Sequence, residues 1–216
     1  MKRIYLIPLL FSILCLGTAY PQPAEGFSSE EISKMIFNRI NGLSYKDNCT
    51  VPLAELRYLR ILHYDAHGEI AEGEIICNRK ISEDLLYIFK ELFDAKYRIE
   101  SVRLIDEYEA DDNLSMINNN SSSFNFRYIA GTTNLSKHSI GMAIDINPLY
   151  NPYVKESGDR LIVEPTESKE YVDRSGDFTY KIDTSDLCYK LFRKRGFEWG
   201  GEWLTVKDYQ HFEKSE

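Results

Sequence analysis

"LAELRYLRILHYDAHGEIAEGEIICN", residues 53–78, carries the first decision about the fold. Apolar and polar side chains roughly alternate on both sides of "DAHG" (65–68), which predicts two antiparallel strands joined by a tight turn. "SEDLLYIFKELFDAKY" (82–97) follows closely. There Leu85, Ile88, Phe89, Leu92 and Phe93 recur at helical spacing and give a helix with one apolar face.

Working outward, "SSEEISKMIFNRINGL" (28–43) is expected to be helical throughout. Ser28 and Glu31 form a capping box, Ile32, Met35, Ile36 and Ile40 line one face, and Gly42 follows the end. "RIESVRLID" (98–106) alternates as a strand. "EYEADDNLSMINNNSSS" (107–123) reads as a long polar loop, a kind that is functional or disordered inside a compact domain. "GMAIDIN" (141–147) is a short buried strand. "RLIVEP" through "GDFTYKI" reads as an irregular hairpin bent at Gly158 and Gly176. "TSDLCYKLFRKRG" (184–196) is a further helix, with cations in its last turn and Gly196 as its cap. "FEWGG" and "QHFEK" close the chain as short strands. This order predicts an α+β fold with a small, mainly antiparallel sheet flanked by helices.

The 216 residues, 43% of them apolar, suffice for one compact domain with a core, and 15 tyrosines suit strands and an amphipathic groove. Lys2 and Arg3 before "IYLIPLLFSILCLG", with small residues at Gly17 and Ala19, read as a cleavable signal peptide over residues 1–19. Leu14 before Cys15 argues against a lipid anchor, so no stable membrane anchor is expected after cleavage. Losing Lys2 and Arg3, and no acid, moves the net charge from −8 to −10. That balance argues against nucleic acid as the main partner. Export permits a disulfide, and Cys49–Cys77 is the expected pair, while Cys188 sits on an apolar helical face as a buried thiol. No C-x-x-C occurs, so a cysteine zinc site has no support.

The chemistry concentrates in "LSKHSIGMAIDIN" (135–147). Asp145 lies among Ala143, Ile144 and Ile146 in a strand expected to be buried. A buried carboxylate is costly unless it is paired or holds a metal. On this stretch alone, a structural aspartate and a metal ligand stand level. His63 and His67, four apart across a strand end and turn, read as incidental. The tail "GGEWLTVKDYQHFE" (200–213) adds Asp208 three residues before His211. His138, Asp145 and His211 then make three ligands of the kind zinc accepts, with a fourth position left for water. Asp208 is a carboxylate near the metal and outside its ligand set, the placement of a general base.

These motifs, S-x-H-x-x-G-x-A-x-D (Ser136, His138, Gly141, Ala143, Asp145) followed by D-x-x-H (Asp208, His211), resemble those of the zinc D-alanyl-D-alanine carboxypeptidase family. The nearest branch is the VanY-like and L-alanyl-D-glutamate peptidase group. "SSFNFRYI", "DINPLYNPYV" and "GFEWGGEW…KDYQHF" agree with it, and the resemblance spans roughly residues 100–216. It implies a catalytic core over 100–216 with a zinc site in a central groove. Residues 20–99 would be a helix–hairpin–helix part packed on the same domain. It further implies Zn2+ on His138, Asp145 and His211, Asp208 as the general base, and peptidoglycan stem peptides as substrate. Arg127 would hold substrate or the developing oxyanion, a task for a fixed charge with several donors; its alternative is a pairing with a surface acid. Ser136 would fix substrate or the motif loop, and Trp203 would form a groove wall; a local hydrogen bond and core packing are their alternatives. Glu202 stands where many relatives have Asp, which touches groove detail rather than the catalytic centre. The expected protein is an exported, periplasmic or extracellular metallopeptidase of carboxypeptidase or endopeptidase type. The rival is a non-catalytic, zinc-stabilised module that binds wall peptides.

Overall fold

The hairpin forms where its alternation predicts. In the computed structural model, which describes residues 25–215, Leu56–Tyr64 (β2) pairs antiparallel with Ile70–Asn78 (β3) around the 65–69 turn. The leader read at residues 1–19 lies outside the described residues. The helix Arg79–Asp94 (α2) starts on Asn78, whose side chain accepts the Lys80 N–H, and buries Leu85, Ile88, Phe89 and Leu92. Fully burying each such side chain is worth roughly 1.5–3 kcal/mol, so α2 holds to β2 and β3 through this face.

The first segment departs from its helical reading. Ser28–Glu31 (β1) is a strand paired antiparallel with β2, and the helix Lys34–Ile40 (α1) begins only after Ser33, whose Oγ accepts the Ile36 N–H at 3.3 Å. The open edge of β2 supplies hydrogen bonds that a capping box cannot match, and Glu31 lies opposite Arg57. Ile36 and Ile40 are buried as expected, whereas Met35 is exposed.

The predicted strand 98–106 shrinks to Ser101–Val102 (β4), paired in parallel with Asn120–Ser121 (β5). Beyond it the Asn120 side chain replaces the ladder: Oδ1 accepts the Arg103 N–H and Nδ2 donates to the Arg103 carbonyl. The expected polar loop is folded, and between β4 and β5 it contains the helix Asp112–Ile117 (α3), capped by Asp111. Ala143–Asp145 (β6) is the short strand of the first motif.

Tyr153–Ser157 (β7) and Arg160–Glu164 (β8) form a hairpin turning at Gly158, earlier than the predicted one. Gly176 makes no hairpin bend, because Arg174 ties this stretch together by donating to the carbonyls of Tyr150 and Ile182. Leu187–Lys194 (α4), capped by Asp186, matches its prediction. Glu198–Trp199 (β9), Lys207–Asp208 (β10) and His211–Glu213 (β11) end the chain.

The result is α+β, with the expected single sheet divided into small ones: β1-β2-β3, β10-β7-β8 and β6-β11-β9, all antiparallel, and the parallel pair β4-β5. One core cluster joins Leu59, Ile75 and Phe89 to Ile144, Phe192 and Phe212, so both halves of the described chain share it. A second lies around Ile36, Ile40, Leu56 and Ile76. Cys49 and Cys77 are free thiols, which corrects the expected disulfide. Alternation along β3 turns Cys77 into the first cluster while Cys49 packs on the second, next to Ile76's side of the strand. Cys188 is buried as expected, and among the described residues no helix is long and apolar enough to cross a membrane.

Candidate metal centre

Two local devices present His138. Ser136 caps the short 3-10 turn at 137–140, its Oγ accepting the His138 N–H at 3.2 Å, and Gly141 ends the turn in the left-handed region at φ +68. A Cβ on Gly141 would lie 2.6 Å from the backbone nitrogen of Asn78, so only glycine lets this turn sit against the end of β3. The antiparallel register of β6 and β11 then sets Asp145 directly opposite His211.

The three side chains converge. His138 Nε2 lies 3.3 Å from Asp145 Oδ2 and 3.1 Å from His211 Nδ1, and His211 Nδ1 lies 3.0 Å from Asp145 Oδ1. One ligand atom from each fits within 4.8 Å of the others, so the trio could hold a metal ion. The outward ring nitrogens are engaged elsewhere. His138 Nδ1 meets the Ser123 carbonyl at 2.6 Å, and His211 Nε2 meets Glu213 Oε2 at 3.0 Å. Such outer partners fix the tautomer and aim the free nitrogen inward. Two imidazoles and a carboxylate, oriented in this way, fit the donor set of a zinc site with one position open.

The electrostatics of the trio suit a cation. Burial alone would raise the Asp145 carboxyl, but His138 and His211 reverse this and hold it far below the usual carboxylate range. Burial would likewise lower His211, and hydrogen bonds to Asp145 and Glu213 overcome it, taking the imidazole up to about 10. A bound metal would displace that proton.

Asp208 stands apart from the trio. Burial pushes its carboxyl up to about 6, with His211 opposing the rise and Asp145 adding to it, and its Oδ1 has no hydrogen-bond partner among the described residues. It lies on β10 opposite Tyr153 of β7, and Gly200 packs beneath it.

All of these groups line one cleft of about 540 Å³. Arg127, Ser136 and Trp203 line it too, so every site residue singled out from the sequence reaches the same cavity. Trp203 sets its ring 5.3 Å from that of His211. Arg127 pairs through Nε with Asp112 at the start of α3, so its acid pairing and its place in the cleft coexist. His63 is elsewhere, its Nδ1 on the Ile99 carbonyl at 2.7 Å.

Sequence reasoning missed Ser123, Glu213, Gln210 and Asp112. Glu213 carried one usable signal: two places after His211 on a strand, it shares that residue's face. The buried serine and the α3 aspartate lay in what read as a loop, and nothing in their local pattern marked them.

Residues 130–214 match the model of the D-alanyl-D-alanine carboxypeptidase family. Over this segment the chain is similar to that family. The segment contains His138, Asp145, Asp208 and His211, and begins just after Arg127. No curated protein and no solved structure matches the chain. The family match supports reading the cleft as that of a peptidase.

Proposed function

We propose that this protein is an exported zinc metallopeptidase that hydrolyses amide bonds in peptidoglycan stem peptides. One observation carries the reading. Two histidines and an aspartate, oriented for a metal, share a cleft with a separate buried carboxylate, inside the segment that matches a carboxypeptidase family.

His138 through Nε2, Asp145, and His211 through Nδ1 would hold the ion. When bound, zinc supplies Lewis acidity, which polarises a carbonyl and brings the pKa of water down to about 7. Asp208 is the general base: its open Oδ1 takes the proton of the attacking water and returns it to the leaving amine. A carboxyl held near neutrality suits both transfers. Arg127, which lines the cleft and is pinned by Asp112, would offer its remaining N–H groups to the oxyanion that develops on the carbonyl. Trp203 walls the groove, and Ser136 keeps His138 in position. A binding module that never cuts has no use for the open carboxylate of Asp208.

The cleaved bond is either D-alanyl-D-alanine, as a carboxypeptidase, or L-alanyl-D-glutamate, as an endopeptidase. Zinc-loaded protein should be incubated with purified peptidoglycan and the released fragments weighed. Free D-alanine assigns the first and a cut after L-alanine the second. About one zinc per chain, lost in His138→Ala, is expected alongside. A digest without new fragments from protein that holds zinc would overturn the reading.

A further inference from the structure

Four buried side-chain polar atoms lack a hydrogen-bond partner among the described residues: Asn125 Oδ1, Arg127 Nε, Asp208 Oδ1 and Gln210 Oε1. Arg127 Nε has the Asp112 carboxylate against it, and Asn125 does not line the cleft. The residues of the two remaining oxygens both line it. Asp208 is accounted for by its role as base, and Gln210 has none so far.

Gln210 is held firmly for a residue with an unused atom. It is 3% exposed, its backbone carbonyl accepts the Ile146 N–H at 3.0 Å, and its Nε2 donates to Met116 Sδ at 3.6 Å across the cleft wall. The nitrogen end of the amide is thus engaged by Met116, and the oxygen end has no donor among the described residues. A buried acceptor without a donor costs free energy that a protein normally avoids.

We infer that Gln210 recognises substrate, its Oε1 accepting a hydrogen bond from a backbone N–H of the bound peptide. The inference rests on the peptidase reading of the cleft and adds a contact to it. Gln210 is two residues from Asp208 and adjacent to His211. The N–H it reads therefore lies within about one residue of the scissile bond, since an extended peptide advances roughly 3.3–3.6 Å per residue. The contact selects a peptide whose amide there is secondary, and a tertiary amide leaves Oε1 without its donor.

The test is a binding cycle on zinc-loaded protein. The pentapeptide L-Ala-γ-D-Glu-L-Lys-D-Ala-D-Ala, which contains both candidate bonds, and its singly N-methylated analogues are titrated calorimetrically into wild type and Gln210→Met. Gln210→Leu serves if the first variant fails to fold, and unchanged zinc content and melting temperature report an intact site. One methylation is expected to weaken wild-type binding about 10-fold or more. Gln210→Met should lose a similar factor on the parent peptide, and that methylation should then cost it nothing further. Equal penalties in both proteins at every position would overturn the inference. Absence of peptide binding to wild type would overturn it as well. A peptide that binds and is never cut sinks the peptidase reading instead, and the cycle still decides the role of Gln210.

Discussion

Asp208 keeps its place because residue 200 has no side chain. A Cβ there would lie 2.6 Å from the Asp208 carbonyl oxygen and 2.7 Å from its Cβ, so Gly200→Ala must push β10 aside. The three atoms nearest that position all belong to Asp208, and none to His138, Asp145 or His211. We expect the variant to retain zinc while kcat falls on the order of 10²-fold, the usual cost of displacing a catalytic group by about 1 Å. An unchanged kcat would show that the base tolerates the shift or is not Asp208. Removing the carboxylate outright, in Asp208→Ala, should slow the reaction on the order of 10²–10⁴-fold with zinc still bound. Glu213 acts through its neighbour. Its hydrogen bond to His211 Nε2 keeps Nδ1 aimed at Asp145, so Glu213→Ala should weaken zinc binding about 10- to 100-fold in competition with a chromogenic chelator. Equal affinity in both proteins would make the contact incidental.

At the scale of elements, the turn carrying His138 is welded to the hairpin. Asn78 donates its N–H to the Gly141 carbonyl at 2.8 Å and its side-chain amide to the Ile140 carbonyl at 3.0 Å. Gly141→Ala meets both a left-handed backbone and the Asn78 nitrogen. The conformation alone costs about 1–2 kcal/mol and overpacking typically adds about 1–3. Thermal unfolding should therefore report a clearly lower midpoint, and a midpoint within a degree of wild type would refute the account. The same junction marks how far the sequence can be read. Hairpin, α2 and α4 were legible because each buries one face against the core and so displays the period of that face. The convergence of His138, Asp145 and His211, a trio that could hold a metal, was legible because its motif residues are of rare types at fixed spacing. β1 was not, since what makes Ser28–Glu31 a strand is the open edge of β2, a non-local partner. Nor was the stretch 107–123. Asn119, Asn120, Ser121 and Ser123 look like a solvated linker, yet they are buried and fully engaged, with Ser123 holding both His138 and the Ala143 carbonyl. A polar core has no hydrophobic period to betray it.

For the molecule as a whole, one ion-pair network ties distant segments together away from the cleft. Arg39 of α1 grips Glu74 of β3 with two bonds of 2.6 and 2.7 Å and reaches Glu107, before α3, at 3.2 Å. Tyr58 of β2 donates its hydroxyl to the same Glu74. These bonds, those from Arg39 first, hold the Glu74 carboxyl below its ordinary value of 4.5, against the opposing pull of burial. A carboxyl whose folded pKa is depressed adds stability at pH values above its unfolded pKa and forfeits it as pH falls through the folded one. The contribution is therefore complete at pH 7 and vanishes well below pH 4.5. Glu74→Gln removes the charge at every pH, so its deficit should be about 1–2 kcal/mol at neutrality, moderated by the partial exposure of Arg39. It should close as pH falls through the depressed folded pKa of Glu74, where wild type becomes protonated at this position too. Urea midpoints measured across that range decide the matter. A deficit that stays constant with pH would mean that Glu74 acts by packing, and that the network is a consequence of the fold rather than one of its supports.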